Sequence, residues 1–168
     1  LSLAPVDEIM GSMMLLRGQA PDLMHYGPTA GDERLRLQIV RMAAQRGIHA
    51  QPNDVLVTAG AKYGIFMTAL LLARPGDTVL VQQPFYAGLL HTLQSLDLNL
   101  VAIPFDRTGP DTGALERAAR EHQPRFMLVV SSFNNPTGYS LEPGARHYLL
   151  EAAARPDFLI VEDDVYGL

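Results

Sequence analysis

Apolar positions along the chain follow two regimes. Up to residue 46 they recur at helical spacing: Ile9, Met13 and Leu16 predict a helix over residues 1–17, closed by Gly18 and Pro21. After a turn-rich loop at Tyr26-Gly27-Pro28-Thr29-Ala30-Gly31, Asp32 is placed to cap a second helix over 33–46. Leu35, Ile39, Val40, Met42 and Ala43 would be its buried face and Gly47 its stop. From residue 55 onward, short β-branched and aromatic runs alternate with helical stretches. Residues 55–58, 78–81, 99–103, 126–130 and 158–161 read as strands, and 61–73, 87–96, 112–121 and 142–154 as helices. Arg74-Pro75-Gly76-Asp77 and Arg155-Pro156-Asp157 have the composition of helix stops. Strand, helix, strand, helix predicts an α/β fold in three layers, a mostly parallel sheet covered by helices on both faces. No internal repeat and no low-complexity linker interrupts it, so the expected organisation is a helical segment over 1–25 and one domain over 26–168.

Strands of a parallel sheet hand over their loops at one edge, and that edge is where ligands sit in open α/β folds. Ala59-Gly60-Ala61-Lys62 joins a strand to a helix; Gly60 allows a tight turn, and the N–H groups of Ala61 and Lys62 would open the helix and attract an anion. Gln82-Gln83-Pro84-Phe85-Tyr86 would bring an aromatic ring to the mouth of the sheet, where it could stack on a planar ligand. Ser131-Ser132-Phe133-Asn134-Asn135-Pro136-Thr137-Gly138 ends a strand abruptly and delivers the Asn135 amide. Glu162-Asp163-Asp164-Val165-Tyr166 sets neighbouring carboxylates at a strand end, where their repulsion calls for a cation or a donor nearby. Each loop also has an ordinary reading: a plain strand-to-helix connection, a core aromatic, a polar turn, a solvated acidic turn.

Composition narrows the partners. Charged residues make up 18% of the chain and hydrophobic ones 48%, against about a quarter charged in a typical domain, so part of the surface is expected to be covered. A net charge of −5 without a Lys/Arg cluster argues against a direct nucleic-acid partner. There is no cysteine, the five histidines are dispersed, and no apolar run reaches membrane-spanning length, so neither a metal site nor a membrane anchor is expected. Residues 1–5 lack the features of a secretory signal, and a cytoplasmic location follows as the default.

An anion seat, a ring, an amide and a carboxylate on one edge suit a flat heterocycle with a phosphate arm and a protonatable nitrogen. Pyridoxal phosphate fits that description better than a nucleotide, since neither G-x-G-x-x-G nor GK[ST] occurs. From about residue 26 to the end, the chain resembles the large domain of fold type I pyridoxal-phosphate enzymes, specifically the class I/II aminotransferases. Tyr26-x-Pro28-x-x-Gly31, Gly60-Ala61-Lys62, Pro84-x-Tyr86, Asn135-Pro136-Thr137-Gly138 and Asp163-x-x-Tyr166 carry the resemblance in that order.

The resemblance implies an aspartate-aminotransferase-like large domain and a pyridoxal 5'-phosphate cofactor. It implies transfer of an amino group between an amino acid and a 2-oxo acid. It also implies a homodimer in which Tyr26 reaches the neighbouring subunit's cofactor phosphate. Gly60, Ala61 and Lys62 would hold the phosphate, Tyr86 would stack on the ring, Asn135 and Tyr166 would meet the phenolic oxygen, and Asp163 would pair with the pyridine nitrogen. The family's Schiff-base lysine and substrate-carboxylate arginine lie beyond the aspartate. Lys62, the only lysine, stands at the phosphate end. The chain, which begins at Leu1, is therefore expected to be an incomplete large domain, a portion of a longer protein without a catalytic lysine and inactive alone. The same motifs suit the aminotransferase-like effector domain of a GntR-type (MocR-type) transcriptional regulator, and a lyase or decarboxylase on the same fold.

Overall fold

In the computed structural model, which describes residues 5–154 and 157–167, the chain forms two compact units, one ending at Thr58 and one beginning at Ala59. The first unit opens with α1 (Val6–Leu16), a 3-10 turn at Arg17–Gln19 and α2 (Ala20–Leu23). Helix α1 thus ends just before Gly18 as expected, but the helical path continues past Gly18 and Pro21. Gly18 is taken up by the 3-10 turn, and Pro21 falls in the first turn of α2, where the missing N–H has no helical acceptor to lose. Residues 1–4 of the expected first helix lie outside the described residues.

Helix α3 (Glu33–Gln45) is capped as its sequence dictates: the Asp32 carboxylate accepts from the N–H groups of Arg34 at 2.8 Å and Leu35 at 3.2 Å. Its expected buried face is a correction. No residue of α3 is buried; Ile39, Val40 and Ala43 are half-buried, and Leu35 and Met42 are exposed. Polar contacts hold it within its unit, the Arg36 guanidinium donating to the carbonyls of Pro52 at 2.7 Å and Gly31 at 3.2 Å. The expected strand over 55–58 is a second correction. Behind the 3-10 turn Pro52–Asp54 that stretch is not a strand; the Val57 N–H donates to the Ala30 carbonyl at 3.0 Å, and one such bond makes no ladder.

The second unit runs α4 (Ala61–Leu72), β1 (Thr78–Gln83), α5 (Ala87–Gln94), β2 (Asn99–Asp106), β3 (Gly109–Pro110), α6 (Thr112–His122), β4 (Phe126–Val129), α7 (Pro143–Ala154) and β5 (Leu159–Glu162). Its sheet has the order β3-β2-β1-β4-β5, parallel except for β3, which turns back antiparallel on β2. The little β3 hairpin had no hydrophobic run to announce it. It is made by the Asp106 carboxylate accepting from the Thr108 N–H and hydroxyl, and by Gly109 at φ 129°. Of the Arg155-Pro156-Asp157 stop, Arg155 and Pro156 lie outside the described residues.

Period-two alternation divides the strand side chains between two cores. Val79, Val81, Phe126 and Leu128 pack toward α4 and α5 with Ile65, Ala69, Leu89 and Leu93. Leu80, Met127 and Val129 pack toward α6 and α7 with Leu115, Ala145 and Leu149. The result is the three-layer architecture expected. Among the described residues no helix is long and apolar enough to cross a membrane. Phe126 is fully buried where β1 and β4 meet, so Phe126→Ala should cost about 3–5 kcal/mol, read as a lower urea midpoint at unchanged slope.

Candidate functional site

The carboxyl ends of β1, β4 and β5 and the start of α4 enclose a cavity of about 220 Å³ lined by Ala61, Lys62, Tyr86, Asn135, Asp163 and Tyr166, with Leu89, Val130 and Val165 between them. All belong to the second unit. Gly60, at φ 91°, is the residue that turns the chain into α4. Tyr26 belongs to the first unit, where its side chain is fully exposed. A wider depression of about 890 Å³ at the amino ends of the strands, bordered by Asp77, Arg120 and Arg125, carries none of these groups.

Each side chain is presented by a local device. The N–H groups of Ala61 and Lys62 precede the first bonds of α4, which Tyr63 and Gly64 make to the Gly60 carbonyl at 3.1 Å each, so they face outward unspent. Of the two aromatics after β1, Phe85 packs against the core and Tyr86 takes the cavity. Gly88 makes room for it: a Cβ there would lie 2.6 Å from the Tyr86 ring. The peptide bonds preceding Pro84 and Pro136 are cis.

The Asn135 loop closes on itself. The Asn134 N–H donates to the Tyr139 carbonyl at 2.8 Å, the Gly138 N–H to the Asn134 carbonyl, and the Leu141 N–H to the Ser131 carbonyl at 2.8 Å, with Gly138 at φ 74°. Asn135 is thereby held half-buried at the tip.

Asp163 sits one residue past the end of β5, its N–H still donating to the Val129 carbonyl at 2.8 Å. Its carboxyl is half-buried, and burial pushes its pKa above the ordinary carboxylate value. The Val165 N–H pulls the other way, and neighbouring Asp164 adds repulsion. Among the described residues no basic side chain pairs with it.

The positive partner that the acidic run called for goes instead to Glu162. Alternation turns Glu162 to the opposite face, where Arg146 lies 3.8 Å away and the Ser131 hydroxyl donates to its carboxylate. Arg146, Gly88 and Leu89 were not singled out from the sequence, and Ser131, Val130 and Val165 stood in the named stretches without a role. Only Gly88, two residues after Tyr86, carried a local signal. A backbone anion seat, a ring, an amide and an unpaired carboxylate make a set that fits a flat heterocycle with an anionic arm and a protonated ring nitrogen.

Comparison with known proteins identifies the family. Residues 2–168 match the aminotransferase class I and II family, and the chain belongs to it. An uncharacterized aminotransferase of Saccharolobus solfataricus is 34% identical over 170 residues, covering 97% of this chain and 42% of that protein. An uncharacterized HTH-type transcriptional regulator of Escherichia coli is 32% identical over 146 residues, covering 86% of this chain and 31% of that protein. The crystal structure of an alpha-aminoadipate aminotransferase from Thermus thermophilus, complexed with N-(5'-phosphopyridoxyl)-L-leucine, superposes with a TM-score of 0.83 at 29% identity. It covers 96% of this chain and 41% of that one. The chain thus spans about two fifths or less of the length of these relatives.

A carboxyl whose pKa is raised by folding adds stability while protonated, and that stability is lost as pH rises through the raised value. Asp163→Asn should therefore raise the melting temperature of the ligand-free chain at pH 7. The difference should vanish below the ordinary carboxyl range, as thermal melts across pH will show.

Proposed function

We propose that this chain is the cofactor cradle of a pyridoxal-phosphate-dependent aminotransferase. The observation that carries the reading is Asp163: a half-buried carboxyl with a raised pKa and no basic partner among the described residues, in one cavity with Asn135, Tyr86, Tyr166 and the start of α4. Its family, and the phosphopyridoxyl ligand of the Thermus thermophilus structure, support the choice of cofactor.

Asp163 would hold the proton on the pyridine nitrogen, and Asn135 and Tyr166 would donate to the phenolic oxygen. Tyr86 would keep the ring in plane, and the Ala61 and Lys62 N–H groups with the Lys62 ammonium would seat the phosphate. Bound there, pyridoxal phosphate supplies the electron sink through which an amino group passes between an amino acid and a 2-oxo acid. In the whole protein the reading extends to a homodimer. The exposed apolar residues of α1, Ile9, Met13 and Leu15 among them, support a covered surface.

A second reading, the cofactor-sensing domain of a transcriptional regulator, is favoured by the similarity to the Escherichia coli regulator. The full-length protein separates the two: amino transfer to a 2-oxo acid supports the enzyme, and cofactor-dependent DNA binding without turnover supports the regulator.

Asp163→Ala should weaken pyridoxal-phosphate binding by roughly tenfold to a hundredfold in an absorbance titration, and an unchanged dissociation constant would overturn the assignment. Gly88→Ala meets only the far end of the Tyr86 ring. It should leave the melting temperature near that of the parent while weakening the same binding several-fold, since the ring must move aside.

A further inference from the structure

Asn135 and Asp163 stand on separate loops, and their usefulness to one ligand depends on the distance between those loops. The backbone ladder that relates them stops early. In the β4–β5 register the last pair is Val129 with Glu162, and the Asp163 N–H to the Val129 carbonyl is the last bond across it. Beyond that point the connection passes to side chains. The Arg146 guanidinium, in the first turns of α7, donates Nη2 to the Ser131 carbonyl at 3.1 Å and to the Ser132 hydroxyl at 3.2 Å. Its Nε donates to the Leu141 carbonyl at 3.3 Å. One planar group thus grips both feet of the Asn135 loop, for Ser131 begins it and Leu141 ends it. Its third nitrogen, Nη1, lies 3.8 Å from the carboxylate of Glu162, the residue that leads into Asp163, and the Ser131 hydroxyl donates to that same carboxylate.

None of these three side chains lines the cavity described above. They border a separate small cleft on the α7 face with Val129, Leu149 and Ile160. Alternation requires this, since Ser131 follows Val130 and Glu162 precedes Asp163, and Val130 and Asp163 are the residues that face the cavity. On the near side, the buried Gln82 amide accepts from the Val130 N–H at 2.9 Å and so ties β1 to the same strand end. The guanidinium suits its place because its fork satisfies several oxygens at fixed angles, which an ammonium group does not.

We propose that Arg146, Ser131 and Glu162 are positioning residues which, from the far face of the sheet, set the spacing between the Asn135 amide and the Asp163 carboxylate. The inference rests on the cofactor-cradle reading above, and it goes beyond it by assigning geometry to residues that touch no ligand.

The test uses the protein with Ser131→Ala, Glu162→Gln, Arg146→Lys and the Ser131→Ala/Glu162→Gln double variant. Pyridoxal phosphate is titrated by absorbance, and inorganic phosphate is titrated as its competitor. Inorganic phosphate samples only the seat at the start of α4, so it reports on folding of the site without reporting on the spacing of the two loops. Each single variant should weaken pyridoxal-phosphate binding by roughly tenfold, the loss of a hydrogen bond to a charged group, while the affinity for inorganic phosphate stays as in the parent. The double variant should lose little more than either single one, because both changes act on the same Ser131–Glu162 contact.

Unchanged pyridoxal-phosphate binding in Ser131→Ala and Glu162→Gln overturns the proposal, and so does a parallel loss of both ligands, which would mark a merely structural role. Ser131→Ala removes a single hydroxyl and keeps the test open if Arg146→Lys fails to fold. Should the parent itself not bind pyridoxal phosphate, the cofactor-cradle reading fails and this inference with it. If the parent binds and Asp163→Ala does not, while the positioning variants behave as the parent, only this inference fails.

Discussion

Parallel pairing of β4 with β5 is the constraint on which the site depends. Because side chains alternate along an extended strand, the ladder that sets Val129 opposite Glu162 sends Glu162 to the α7 face and Asp163 to the α4 face. Two adjacent carboxylates thereby enter different environments. One meets Arg146 and the Ser131 hydroxyl. The other enters the cavity, where no basic side chain among the described residues pairs with it, and burial raises its pKa. A slip of one residue in that register would exchange them, pairing Asp163 with arginine and leaving Glu162 in the cavity.

Keeping an acid half-buried without a counter-charge is unfavourable, and the surrounding packing tolerates it. Strands β1 and β4 are buried almost end to end, with Val79, Leu80, Phe126, Met127 and Leu128 between helices on both faces. Where the ladder between them runs out, the Gln82 side chain takes the Val130 N–H that would otherwise be buried unpaired. The local cost at Asp163 is therefore offset by the burial of its neighbours. A ligand bringing a positive charge would remove it.

Much of this was legible in the chain. The strands over 78–81, 99–103, 126–130 and 158–161, the helices between them, the Asp32 cap and the loops bearing Gly60, Tyr86, Asn135 and Asp163 all rest on local signals: apolar period, β-branching, glycine and proline punctuation. The failures share a cause. Residues 55–58 have a strand's composition, yet a strand exists only where a neighbour supplies alternate donors and acceptors, and Val57 finds one carbonyl. The apolar stripe of α3 predicts burial, which depends on what lies against it. Between Phe85 and Tyr86 local sequence offered no choice; the packing of α5 sends the first to the core and the second to the cavity.

What the amino-acid order determined by itself, then, was the kind of each element and the chemistry carried at each strand end, because dihedral preference and side-chain periodicity act over a few residues. Tertiary structure alone decided which carboxylate would be neutralised and which left unpaired. It also decided that Arg146 would bridge the two loops from behind. These outcomes depend on strand register and on contacts between residues far apart in the chain, and no local pattern of residues encodes a distance across a sheet.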